Sequence, residues 1–279
     1  MTPGDVSGTS SPHRGGDSPD PGSGVGNSVG GVLGSLGSGG VPTTHGEPDE
    51  VVAAASRVLR DQATSWFEPL YARADGDPSG VPWAKLAAHP YVTGWLDQPG
   101  LDVAGVDAVV VGSGLGDDAA ELVRRGCRVT ALDISPTAVD WARNRFADLD
   151  ITWEVADVLA LPSHLVGAFG LVVEVRTAQS LPTSVRDAAM QGIATLVGPG
   201  GYLVATTLLA TSDEAARRWE GPPWALAPAE LTAWRAAGLE RLTLDHPPVT
   251  PGQDAMEVRL TYQRPDADGQ PRPPNPIAM

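Results

Sequence analysis

Cysteine is almost missing from this chain: Cys127 is the only one among 279 residues. One thiol excludes an intramolecular disulfide framework and a cysteine-built metal site, and at the head of an apolar stretch it reads as packing. The five histidines are scattered without ligand-like pairing, so no metal is expected. Basic residues are scarce too, 19 Lys and Arg against 34 Asp and Glu, for a formal net charge of −15. Such a chain repels a phosphate backbone, and no nucleic-acid partner is expected. No apolar run reaches the roughly 18 residues that span a bilayer. A basic start, apolar run and small-residue cleavage site are also missing, so the expectation is a cytoplasmic monomer with no membrane partner.

What is present is unevenly distributed. Residues 1–46 are rich in Gly, Ser, Pro and Thr without one aromatic, which predicts a disordered tail. From Glu47 to about residue 100 the character is helical: Val51, Val52, Ala55, Val58, Leu59, Ala63, Trp66, Phe67 and Leu70 recur at the spacing of one long amphipathic helix, a cap or lid ahead of the main domain. Residues 101–264 carry the domain pattern, and 265–279 again predict disorder.

The domain is organised around Asp107–Phe146. Val109, Val110 and Val111 form a short β-branched run that predicts a buried parallel strand. Gly112, Gly114 and Gly116 follow at alternate positions, where a chain leaving a strand turns and lets a ligand approach bare backbone. Asp117 and Asp118 open a helix that Gly126 ends. A second strand, Cys127 to Leu132, delivers Asp133 about 20 residues beyond the glycines, the spacing at which an acid meets ribose hydroxyls in nucleotide-binding βαβ units. Ile134 follows, and Ser135 and Pro136 start another helix as N-cap and first residue. The spacing points to an adenosine-bearing ligand, against the bland alternative of an empty βαβ unit. A dinucleotide fingerprint would carry a third glycine where Asp117 stands, and a carboxylate at a helix N-terminus takes a phosphate's place. The ligand should lack phosphates and carry positive charge, which S-adenosylmethionine does.

Downstream, Ile151 to Ala156 alternates as a strand ending at Asp157 and Val158. Phe169 to Val175 is a fourth strand, with Glu174 and Arg176 near its carboxyl end. A helix from Ser184, a glycine run at 198–201 and a strand from Tyr202 to Leu209 follow. After a polar loop at 217–223 come a helix at Pro228–Ala237 and a closing strand pair, Leu239–Asp245 and Met256–Gln263.

This run of motifs resembles the class I S-adenosylmethionine-dependent methyltransferases. The resemblance implies an α/β fold, a Rossmann-like doubly wound seven-stranded sheet with the last strand antiparallel and helices on both faces. Gly112, Ser113, Gly114 and Gly116 would hold the cofactor's methionine part and Asp133 its ribose, with Asp117 and Ile134 also touching the cofactor. Asp157 would meet the adenine amino group, with Val158 giving the adjacent N–H, unless Asp157 is only a helix cap. The run from Trp66 to Trp83, Val110 where an acid is usual, and Gly221-Pro222-Pro223-Trp224 resemble the thiopurine methyltransferase-like subgroup, which implies a small-molecule acceptor, a thiol or other chalcogen favoured. Trp83 would cover the cofactor, an aromatic face suited to a sulfonium, or else pack. Arg176 would contact the substrate, Trp224 would wall its pocket, and Glu174 is the candidate base should the acceptor need one. A nicotinamide oxidoreductase and a non-catalytic adenosine-binding module are the competing readings.

Overall fold

The computed structural model describes residues 58, 60–248 and 252–266. The expected tails, all but residues 265 and 266, and the first turns of the expected long helix lie outside the described residues.

Seven strands form one sheet, β1 (Asp107–Val111), β2 (Arg128–Asp133), β3 (Ile151–Val155), β4 (Phe169–Val175), β5 (Val197–Ala210), β6 (Glu240–Asp245) and β7 (Ala255–Gln263). Their order is β3-β2-β1-β4-β5-β7-β6. β1 to β5 run parallel, and β7 lies antiparallel between β5 and β6. The order reverses between β1 and β4, the switch point at which open α/β sheets bind ligands beyond the strands' carboxyl ends.

β1 is apolar throughout its length after Asp107 because both faces are covered. Val109 and Val111 join one core with Met190, Ile193 and Trp234, while Ala108 and Val110 join the other with Val92, Trp95 and Leu122. The helices are α1 (Phe67–Ala74), α2 (Pro90–Leu96), α3 (Asp117–Arg124), α4 (Pro136–Arg145), α5 (Thr183–Thr195), α6 (Asp213–Arg218) and α7 (Thr232–Ala236), of which α2, α3, α5 and α7 supply these core residues.

The differences from expectation are local. The long N-terminal helix is interrupted: residues 60–64 are helical, 65 and 66 turn, and α1 begins at Phe67. The glycine run at 198–201 belongs to β5, since a Cβ at Gly201 would lie 2.8 Å from Phe169 O and the bare backbone lets β5 start against β4 where the register shifts. Part of the expected polar loop at 217–223 closes α6, and the helix expected at Pro228–Ala237 is a 3-10 turn, Pro228–Leu231, followed by α7.

Candidate active site

The loop from β1 to α3 is built by its neighbours. Gly112, Gly114 and Gly116 all have positive φ, at 63°, 52° and 89°. A Cβ on Gly116 would fall 2.6 Å from the Trp153 ring, and one on Gly112 would fall 2.3 Å from Thr177 Oγ1. Asp133, delivered by β2, fastens this loop: its Oδ2 accepts the Gly114 N–H at 2.8 Å and its Oδ1 the Ser135 N–H at 2.9 Å. Burial pushes the Asp133 carboxyl up, against the pull of those N–H groups. Ile134 is half-buried beside it, and Ser135 caps α4 by accepting the Ala138 N–H at 3.0 Å. Ser113 Oγ is buried in the loop without a protein partner.

Asp117 is used differently from the sequence reading. Its two oxygens accept from the Arg145 guanidinium at 2.9 Å each, and Arg145 also donates to Leu115 O. The last turn of α4 delivers a cation that the local sequence around Asp117 could not reveal. Asp117 therefore ties the glycine loop to α4, and its charge is not left for a ligand.

At the end of β3, Asp157 accepts the Leu159 N–H at 2.9 Å, the capping alternative, while its Oδ2 lies 3.2 Å from Arg60 Nε. Val158 packs with Ala63, Phe67 and Leu181.

The segment ahead of the domain lies directly on these groups. Glu68 accepts the Thr137 N–H at 3.2 Å and the hydroxyls of Ser135 and Thr137, covering the N-terminus of α4. Burial raises the Glu68 carboxyl, but those hydrogen bonds together outweigh it and hold it below the usual carboxylate range. Tyr71 is 2% exposed and its hydroxyl lies 3.1 Å from where a Gly114 Cβ would stand. That hydroxyl accepts Trp83 Nε1–H at 2.9 Å. Trp83, 39% exposed, packs edge-on against Trp66 and Tyr71. Tyr71 thus stands between the expected lid and the loop, a position that only its i, i+4 spacing from Phe67 hinted at.

The end of β4 carries the second correction. Glu174 is fully buried; its Oε1 accepts the Ala178 N–H at 2.8 Å and its Oε2 has no protein partner. Burial raises its pKa to about 7. The carboxyl caps the loop that follows it, where a base was expected to face the cleft, because β4 alternation turns residue 174 into the core that contains Val172. Arg176 has φ of 61° and donates through Nε to Glu257 Oε1 at 3.0 Å, with Nη2 on the same oxygen. His89 Nε2 lies 3.2 Å from that oxygen too. Thr177, next along, donates to Val111 O at 2.9 Å and so joins β4 to the glycine loop. The Trp224 N–H donates to Gln179 O at 2.9 Å, which brings its loop to the same rim. His89 and Glu257 stand 168 residues apart and carried no sequence signal of a joint role.

With this geometry in place, residues 108–201 match the family model described as a methyltransferase domain. The match runs from β1 into β5. The chain is 29% identical over 157 residues to a ubiquinone biosynthesis O-methyltransferase of Xanthomonas euvesicatoria, covering 50% of this chain and 65% of that protein. It is 28% identical over 127 residues to a 2-heptyl-1-hydroxyquinolin-4(1H)-one methyltransferase of Mycobacteroides abscessus, covering 44% and 54%. The chain thus spans less than two thirds of the length of these relatives. Among solved structures, N-methyltransferase NodS from Bradyrhizobium japonicum in complex with S-adenosylhomocysteine superposes with a TM-score of 0.53 at 20% identity, covering 71% of this chain and 99% of that one. At that identity the likeness is one of fold: a seven-stranded α/β sheet with an antiparallel strand between β5 and β6. The residues of the matched segment fit S-adenosylmethionine: a cradle of bare glycine backbone, a buried hydroxyl at Ser113 without a partner, and acids at the ends of β2 and β3. Among the described residues no cluster of metal-ligating side chains and no helix long and apolar enough to cross a membrane occurs.

Proposed function

We propose that this chain is an S-adenosylmethionine-dependent methyltransferase acting on a small-molecule nucleophile, a cytoplasmic monomer of the thiopurine methyltransferase-like kind. The observation that carries the proposal is the glycine loop at the switch point, fastened through Gly114 to Asp133 at the end of β2. Gly112, Ser113, Gly114 and Gly116 would hold the methionine part, Asp133 and Ile134 the ribose side, and Asp157 and Val158 the adenine. When bound, the cofactor supplies a methyl carbon made electrophilic by its sulfonium. Tyr71 and Trp83 exclude water above the loop, and Arg176 and Trp224 border the acceptor side. Holding two reactants in line contributes several kcal/mol without an acid or base.

The protonation of the acceptor decides between substrate classes. Glu174 is turned into its own loop, so the site is proposed to rely on a nucleophile that is ionised before it arrives. A thiol near its pKa, or a heavier chalcogen, meets that demand. A hydroxyl acidic enough to ionise unaided is the second reading, favoured by the O-methyltransferase name of the Xanthomonas relative. A nicotinamide oxidoreductase is disfavoured by the antiparallel strand between β5 and β6. The test is transfer of a labelled methyl group from S-adenosylmethionine to matched thiols and phenols. Label appearing in the thiols first supports the proposal; label only in phenols moves the acceptor to oxygen; cofactor binding with no labelled product from any nucleophile makes the chain a non-catalytic adenosine-binding module.

A further inference from the structure

Beside the glycine loop, two side chains from distant parts of the chain meet on one carboxylate oxygen of a third. Arg176 Nε stands 3.0 Å and His89 Nε2 3.2 Å from Glu257 Oε1. The histidine's role follows from its other nitrogen. Nδ1 accepts the Tyr91 backbone N–H at 3.2 Å, capping α2, which leaves the ring proton on Nε2. Burial keeps the ring below its usual pKa despite Glu257, so His89 serves as a neutral donor and is not free to act as a base. Two donor side chains therefore converge on a single carboxylate, and the cluster is open to solvent: the side chains of Arg176 and Glu257 are 39% and 31% exposed.

The cluster's supports tie it to the methyl-transfer end of the site. The His89 N–H donates to Asp118 Oδ1 at 2.7 Å, in the first turn after the glycine loop. Thr177, adjacent to Arg176, touches Gly112. Arg176 holds its left-handed φ without being glycine, the sort of backbone strain that persists where surroundings dictate it. From there the cluster extends away from the nucleotide half. Asp133 and Asp157 stand at the ends of β2 and β3, whereas Glu257 is on β7, three strands beyond β1 on the other side. At about 4.8 Å between strands that is some 14 Å across the sheet.

We propose that Arg176 and His89 form a recognition site for a carboxylate borne by the methyl acceptor, with Glu257 as the internal carboxylate that occupies it when no acceptor is bound. A planar guanidinium fork beside a neutral N–H donor suits a carboxylate's two oxygens. The acceptor class is then a small nucleophile carrying a carboxylate at the end opposite the atom methylated. The inference rests on the methyltransferase reading for the acceptor's fate, though not for its binding.

The test uses the full chain and two probes, 4-mercaptobenzoate and thiophenol, titrated calorimetrically with and without S-adenosylhomocysteine. Wild type should favour the carboxylate probe. Arg176→Gln should lower that preference about tenfold to a hundredfold, as loss of a charge-assisted hydrogen bond does. Glu257→Gln should raise it, by removing the competing carboxylate; the opposite sign separates recognition from misfolding. A preference unchanged in both variants overturns the inference. So does a loss, in Arg176→Gln, of affinity for S-adenosylhomocysteine but not for 5′-methylthioadenosine, which would assign the site to the cofactor's own carboxylate. Variant-dependent carboxylate binding in a protein that methylates nothing would uphold this site while removing the proposed activity.

Discussion

Single residues decide how the loop and its rim are held. Gly116 can be nothing larger without cost, because a Cβ meets Trp153 at 2.6 Å and φ is 89°. Gly116→Ala should lower the unfolding free energy by about 1–3 kcal/mol, from strained backbone and overpacking together, as read by denaturant unfolding. Glu174 gives a pH signature. Its native pKa of about 7 stands above the 4.5 of an ordinary glutamate, so between those values the native state keeps a proton that the unfolded chain has lost. Stability from this group is full below the lower value and falls as pH rises toward the upper one. At roughly 1.4 kcal/mol per unit the loss is on the order of 3 kcal/mol. Glu174→Gln should flatten that decline, leaving the variant more stable than wild type at pH 8. A wild-type curve already flat from pH 5 to pH 8 would contradict the buried, self-capping role. Asp133→Ala should weaken S-adenosylmethionine binding by about 1–3 kcal/mol, since the Gly114 and Ser135 N–H groups lose their acceptor.

Elements act through where they dock, and α1 is the instructive case. Its apolar Tyr71 and Ala74 do pack, with Leu115 and Ala138, and its polar Glu68 adds a second anchor on Ser135 and Thr137 at the start of α4. Glu68→Ala should loosen α1 with little effect on the sheet, a loss of about 1 kcal/mol, seen as faster amide exchange confined to residues 67–74. Acid should do the same. The folded Glu68 pKa is lowered, so the contact is intact at neutral pH and fails as pH falls below the usual carboxylate range. Strands and helices were legible where the pattern was local: β4 and the Ser135 cap fall where the periodicity puts them. What could not be read was pairing at long range. Arg145 reaches Asp117 across 28 residues, and Glu257 reaches His89 across 168; nothing in either neighbourhood marks the partner.

At the scale of the molecule, the sheet explains why one short stretch was so informative. β1, the glycine loop and Asp133 are contiguous in sequence and sit at the switch point, so the loop proposed to hold the cofactor's methionine and ribose parts was legible within 40 neighbouring residues, Asp107–Phe146. The proposed acceptor half is assembled from α2's cap, the end of β4, the loop at Trp224 and β7, and it needed the fold. Glu174 was misread for that reason: its place near a strand end was right, and the face it takes depends on alternation against two cores. Calorimetric titration of the full chain with S-adenosylmethionine, and separately with NADH, tests the central claim most directly. Micromolar binding of S-adenosylmethionine and none of NADH is the expected result. NADH binding alone would contradict it and make the loop a dinucleotide site.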